Sequence, residues 1–331
     1  MEWLAGALYA PFLDKPAWVW VMFLGIVVVL LVLDLGVLHR KQREIPVSES
    51  LWLSAGYIAV ALGFGGWVWW SMGEGAGMAY LTGFLVEKSL SLDNVFVISL
   101  IFTYFAVPRL YQHRVLFWGI LGVIVLRGIM IGLGTALVEQ FAWVLYVFGA
   151  FLIATGIKML VMADHIPKIE DNPVLRLLRR RLNVTTELHG NRFFVKAPSP
   201  ADPARQVWWA TPLFLALVLV ETADLIFAVD SVPAIFAITT DPYIVYTSNI
   251  FAILGLRALY FALAAMVHRF KYLKYALSAV LIFIGGKIFW NQLVGKLDPT
   301  VSLSVTFALL AAGVIVSLLR TRPPHHGTPA E

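Results

Sequence analysis

Cysteine is absent from the chain, which excludes disulfides and thiolate metal sites. Charge is sparse: Asp, Glu, Lys and Arg make up 14% of 331 residues, against about 25% in a soluble domain. Histidine is missing from the apolar stretches, because His39, His113, His165, His189, His268, His325 and His326 all fall in hydrophilic connections. No nucleophile motif, phosphate loop or nucleotide fingerprint occurs, so neither an enzyme nor an organic cofactor is expected. The N-terminus has no basic region followed by a cleavable small-residue site, and the first apolar segment reads as a retained helix. What remains is 60% hydrophobic, the composition of a chain whose main partner is a lipid bilayer.

Apolar stretches of spanning length, about 17 to 25 residues, fall near 17–38, 51–72, 78–107, 114–137, 141–162, 210–239, 243–267, 275–294 and 301–319. The expected fold is all-α and polytopic, with nine transmembrane helices. Alternate connections differ sharply in charge. One set holds Arg40, Lys41, Arg43, Arg109, Arg114, eight basic residues from Lys168 to Arg205, Arg269, Lys271, Lys274, Arg320 and Arg322; the other holds only Lys15 and Lys296. The positive-inside rule then puts the N-terminus outside and the C-terminus in the cytoplasm. The same distribution accounts for the net charge of +5 without a nucleic-acid partner.

The expected organisation is accessory helices over 1–77, a first repeat over 78–162, a basic cytoplasmic connection over 163–209, a second repeat over 210–294, and a last helix with a disordered tail over 295–331. Within the connection, Arg176 to Leu182 reads either as a basic amphipathic helix on the cytoplasmic leaflet or as a solvated loop that fixes topology. Ala197 to Pro203 is a Pro-rich return to the membrane.

Against that apolar background, two segments carry Glu87, Asp93, Glu221, Asp224 and Asp230. An ionised carboxylate at bilayer depth costs about 2.5 kcal/mol or more, so such groups face a cavity, a partner charge or an ion. Five bases also lie inside apolar stretches: Lys88, Arg127, Lys158, Arg257 and Lys287. Their order recurs. Glu87, Asp93 and Asn94 superpose on Asp224, Asp230 and Ser231; the next helix of each half carries Leu-Arg, ending at Arg127 or Arg257; the third carries a Gly-x-Lys, ending at Lys158 or Lys287. Three helices are an odd number, so tandem copies insert with opposite orientation. Inverted repeats of this kind place a transport site near the midplane.

Glu87, Ser91 and Asn94 share a helical face, whereas Asp93 lies about 120° from Glu87, as Asp230 does from Asp224. A local break near Asp93–Asn94 and Asp230–Ser231 is therefore expected, supported by Pro233, which removes the donor for the Val229 carbonyl; an ordinary kink is the alternative. The donors at hand are oxygens from carboxylates, Asn94, Ser91, Ser231 and the backbone, which suits a hard divalent cation such as Mg²⁺, Ca²⁺ or Mn²⁺. Met130 and Met159 read as packing residues. Arg127 and Arg257 either hold the acids of the site ionised or lock helices together as buried ion pairs. Lys158 and Lys287 read as structural, near helix ends, and Asp34 as an interfacial partner of the basic cluster that follows it, or as an ion-entry residue.

EKSLSLDNVFV with VPRLYQHRVLFWGILG behind it, and ETADLIFAVDSVPAIFAIT followed by SNIFAILGLRALYF, resemble the tellurium-resistance TerC family of integral membrane proteins, in particular its Alx-type bacterial members. The resemblance runs from about Asp34 to Leu319. It carries the family's acidic motif onto Glu87, Asp93, Asn94, Glu221, Asp224, Asp230 and Ser231 without departure. It implies a place in the lysine-exporter superfamily, the bacterial cytoplasmic membrane, and manganese export with links to tellurite resistance and alkaline pH. Manganese and the direction of transport come from the resemblance alone. The resulting expectation is a carrier exporting Mn²⁺, with Ca²⁺ as a further candidate and protons as the counter-ion. The alternatives are an assembly factor that loads metal into exported enzymes, and a tellurite or anion transporter.

Overall fold

The computed structural model describes residues 6, 8–36, 46–141, 143–161, 169–199, 205–263 and 272–320. The side chains of Asp34, Asp93 and Arg257, five of the histidines (39, 165, 268, 325 and 326) and the tail beyond Arg320 lie outside the described residues.

In lipid every backbone polar group must find its partner within the segment, so apolar stretches of this length become helices. They are α1 (Ala17–Gly36), α2 (Val47–Met72), α3 (Glu74–Tyr104), α4 (Arg109–Gln140), α5 (Val144–Val161), α6 (Pro173–Arg181), α7 (Pro212–Phe236), α8 (Pro242–Leu254), α9 (Leu256–Leu263), α10 (Leu273–Leu293) and α11 (Pro299–Arg320). Among the described residues, seven helical stretches are long and apolar enough to cross a membrane: α2, α4, α5, α7, α8 with α9, α10 and α11. Of the other two expected spans, α1 is a shorter apolar stretch, and the 31-residue α3 carries Glu87, Lys88 and Asp93 in its middle.

Local signals set the ends. Proline begins α6, α7, α8 and α11, where a missing N–H costs nothing. Asp241 caps α8 by accepting hydrogen bonds from the Tyr243 and Ile244 N–H groups at 3.0 and 3.4 Å. Its other carboxylate oxygen meets Lys15 at 2.8 Å, tying the short hairpin of β1 (Pro11–Phe12) and β2 (Lys15–Pro16) to the bundle. A single residue, Gly73, reverses the chain between α2 and α3 at φ +92°, a conformation that a side chain would strain.

Two expectations change here. No break interrupts α3 or α7: both helices run on through Asp93–Asn94, Asp230–Ser231 and Pro233. A break is unnecessary because α7 has neighbours on more than one side; α3, α4 and α5 offer different partners to side chains 120° apart. The discontinuity lies instead at Gly255, between α8 and α9. There Lys88 donates to the Ala252 carbonyl at 3.1 Å, a cation at a helix C-terminus where the last carbonyls need partners. The described part of the basic connection, residues 169–199 and 205–209, is also folded rather than a solvated loop. Asn172 caps α6, Leu175 is buried, and the arginines at 176, 179, 180 and 181 stay exposed. The return to the membrane is an antiparallel hairpin, β3 (Phe194–Pro198) with β4 (Gln206–Ala210).

At the centre, α8 is buried along nearly its whole length and packs on α3 and α4, while α3 and α4 both also pack on α7. The most extensive helix pair is α5 with α10. Glycine makes it so: a Cβ at Gly285 would lie 2.6 Å from the Gly149 carbonyl oxygen, and one at Gly156 would lie 2.8 Å from that of Ser278. Gly285→Leu is therefore expected to destabilise the bundle by about 1–3 kcal/mol. The check is the melting temperature in detergent, against Gly286→Leu, whose added side chain has open space and should leave it near wild type.

Candidate functional site

The site is built around one side chain that is 1% exposed, the Arg127 guanidinium in the middle of α4. A guanidinium has five N–H donors and no acceptor, so burying it demands several oxygen partners. Three other helices supply them. Nη1 lies 2.6 Å from Glu87 Oε1 of α3 and 2.9 Å from Ser231 Oγ of α7, and also donates to Asn249 Oδ1 of α8. Nη2 and Nε reach the Asp224 carboxylate of α7 at 3.4 and 3.5 Å. Asn94 of α3 donates to Asp224 Oδ1 at 3.2 Å. Asp224 sits twelve residues from each end of α7, so the cluster lies half-way along that helix.

Beside this cluster is a cavity of about 220 Å³ lined by Glu87, Asn94, Arg127, Asp230, Ser231 and Met159, with Leu90, Phe227 and Leu281 as its apolar walls. Glu87 Oε2 and Asn94 Oδ1 are buried acceptors with no protein hydrogen-bond partner, and both residues belong to that lining. Asp230 looks towards α5, where the Thr155 hydroxyl donates to Oδ1 at 3.3 Å. A second, smaller pocket of about 30 Å³ lies towards the α3–α4 connection, among Ile98, Leu116 and Gly119. Asn94 and Phe227 border both spaces.

The sequence-derived residues thus divide. Glu87, Asn94, Arg127, Asp224 and Ser231 are brought into one network, and Asp230 joins them through the cavity. Ser91, on the same face as Glu87, spends its hydroxyl on the Glu87 backbone carbonyl at 2.7 Å. Glu221 stands apart on the α4 side of α7; neither of its buried oxygens has a partner, and Gly122 leaves it room, since a Cβ there would collide with the carboxylate. Lys88 is engaged with α8 as described. Lys158 is exposed, with its charge felt at Asp230, whereas Lys287 is buried and donates to Ser302 of α11 at 3.1 Å. Pro233 is buried inside α7. Asp93 and Arg257 sit on α3 and α9, with side chains outside the described residues.

Among the described residues, no three His, Cys, Asp or Glu side chains converge tightly enough to hold a metal ion. The physical reason is visible: Arg127 occupies the space between Glu87 and Asp224. The sequence reading missed Asn249, Thr155, Phe227 and the cavity position of Met159. Asn249 had a signal, an amide within the apolar stretch 243–267; Thr155 and Phe227 had none short of the packing itself.

Arg127→Met is expected to leave two buried carboxylates uncompensated and to cost about 3–5 kcal/mol. Thermal stability in detergent measures this. Adding Glu87→Gln and Asp224→Asn to the same protein should recover most of the loss.

Comparison with known proteins gives the site a context. Residues 72–325 match the family described as Integral membrane protein TerC family. An uncharacterized membrane protein of Myxococcus xanthus is 48% identical over 303 residues, 92% of each chain. One from Rickettsia felis is 48% identical over 307 residues, 93% of this chain and 99% of its own. A protein of Salmonella typhi named putative membrane-bound redox modulator Alx is 43% identical over 307 residues, 90% of this chain and 93% of its own. No solved structure matches the chain.

Proposed function

The chain belongs to the TerC family of integral membrane proteins, and on that premise we propose that it exports divalent metal ions, Mn²⁺ foremost, across the bacterial cytoplasmic membrane. The observation that carries the reading is the Arg127 cluster midway along α7, opening on a cavity with unpaired oxygen acceptors. Its volume of about 220 Å³ accommodates a cation with several waters, each taking about 30 Å³. The substrate ligands are Asp93, Asn94, Asp230, Glu87 and Asp224, with Glu221 on the approach and Ca²⁺ a lesser substrate.

In the empty carrier Arg127 serves as the resident cation. An arriving dication takes over Glu87 and Asp224 and leaves the arginine held by Ser231 and Asn249, to which it already donates, so the acids are never left bare at membrane depth. The small pocket towards the α3–α4 connection is the cytoplasmic approach, and Phe227, bordering both spaces, is the side chain that must yield. Protons returning on the carboxylates are the counter-ions.

The reading includes nine spans, the N-terminus outside, and two inverted three-helix units, α3–α5 and α7–α10, flanked by α1, α2 and α11. Packing supports the inversion. Equivalent helices pair across the unit boundary: α3 with α7, α4 with α8, α5 with α10. The contacts are also reciprocal, because Gly285 meets Gly149 just as its counterpart Gly156 meets Ser278, the counterpart of Gly149.

The name redox modulator borne by the Salmonella relative favours a second reading, in which the protein supplies metal to exported redox enzymes. A thiol-based version has no cysteine to work with. An anion carrier fits less well, since Glu87 and Asp230 outnumber Arg127 in the lining of the cavity, with Asp224 beside them on the arginine. Purified protein in liposomes should move Mn²⁺, and Asp93→Asn or Asp230→Asn should each reduce flux to background. Absence of Mn²⁺ flux from well-folded wild type, with metal-free secreted enzymes in a deletion strain, would select the assembly reading instead.

A further inference from the structure

The cavity has one donor that is not oxygen. Met159 of α5 lines it together with Asp230, Asn94 and Ser231. Its position is fixed one turn beyond Thr155, which donates to Asp230 across the α5–α7 contact, so residues 155 and 159 present one face to the same acid. The second half of the chain supplies a comparison. At the places equivalent to Thr155 and Met159, counted from Lys158 and Lys287, α10 carries Ile284 and Ile288, which are 0% and 6% exposed in an apolar core. Branched aliphatics satisfy the packing demand there. On the copy that faces the cavity, a hydroxyl and a thioether stand in their place.

A thioether is a poor partner for Ca²⁺ and Mg²⁺, which hold their oxygen shells tightly; Mn²⁺ also prefers oxygen but, as a transition-metal ion, accepts a sulfur donor more readily than they do. An all-oxygen cavity selects weakly between Mn²⁺ and the far more abundant alkaline-earth ions. Resting on the reading of a divalent-ion carrier, we propose that Met159 is the specificity-determining residue, its sulfur lying against the ion beside Asp230 so that transition-metal ions pass and Ca²⁺ and Mg²⁺ are refused. Thr155 orients Asp230 for the same ion. Leucine at 159 keeps the volume and loses the donor, which isolates the sulfur from its packing role.

The test is competition in proteoliposomes: Mn²⁺ uptake by wild type and Met159→Leu, titrated with Ca²⁺ and with Mg²⁺. The expected result is retained Mn²⁺ uptake with both competitors more effective by roughly tenfold, the scale on which changes around a metal alter its affinity. Calorimetric titration of the detergent-purified protein with Cd²⁺, a thiophilic probe, should show a parallel loss of affinity in the variant, with Ca²⁺ affinity unchanged or higher. Equal competition and equal Cd²⁺ affinity in the two proteins overturn the inference and leave the carrier reading standing. A folded wild type that binds and moves no divalent ion overturns both. Should Met159→Leu fail to fold, Met159→Ile, the residue at the equivalent place in the second half, gives the same comparison.

Discussion

A buried guanidinium is the constraint to which this bundle answers. At 1% exposure, Arg127 is cut off from bulk solvent, and its donors are met by Glu87, Asp224, Ser231 and Asn249 from three different helices. Each partner fixes the rotation of the helix that carries it. α3 must present Glu87 and Asn94 inward, α7 must present Asp224 and Ser231, and α8 must present Asn249. Apolar packing alone specifies little in lipid, where the tails are as apolar as leucine. The polar knot provides the register that hydrophobicity cannot.

The same knot explains why acids persist at this depth. Glu87 and Asp224 share one positive charge, so the centre is left formally negative, with Asp230 adding to it across the cavity. On the proposed reading that deficit is what an incoming cation fills, with the unpaired oxygens of Glu87 and Asn94 as ligands. The arginine moderates the deficit without cancelling it. Full neutralisation would give a rigid, inert core; none would leave carboxylates that lipid does not tolerate.

Much of this could be read from the sequence, and the reasons are particular. Glu87, Arg127 and Asp224 stood out because charge within an apolar run has few innocent explanations. Their convergence followed from the repeated order of acid, arginine and lysine. Helix geometry misled over Pro233 and the 120° mismatches, since periodicity describes one helix and says nothing of how many neighbours surround it. Gly255 as the true interruption was hidden, because glycine within a span is common and only Lys88 lying against Ala252 marks this one. The capped helix α6 was legible as a possibility from Arg176 to Leu182, but the burial of Leu175 that decides it is a tertiary fact. Asn249 was visible as a polar residue, yet its value came only with the arginine it faces.

The contact between α5 and α10 bears on how such a molecule can move. Where Gly149, Gly156 and Gly285 let backbone approach backbone, the side chains packed around them, among them Leu152, Ile153 and Ile282, leave little room for one helix to slide past the other. On the proposed reading of two inverted units, the pair would turn as a single beam, a torque on one helix being passed to the other. Any rocking of α3 and α7 around the arginine would then have this beam as its fulcrum, and the two halves of that reading would change shape together.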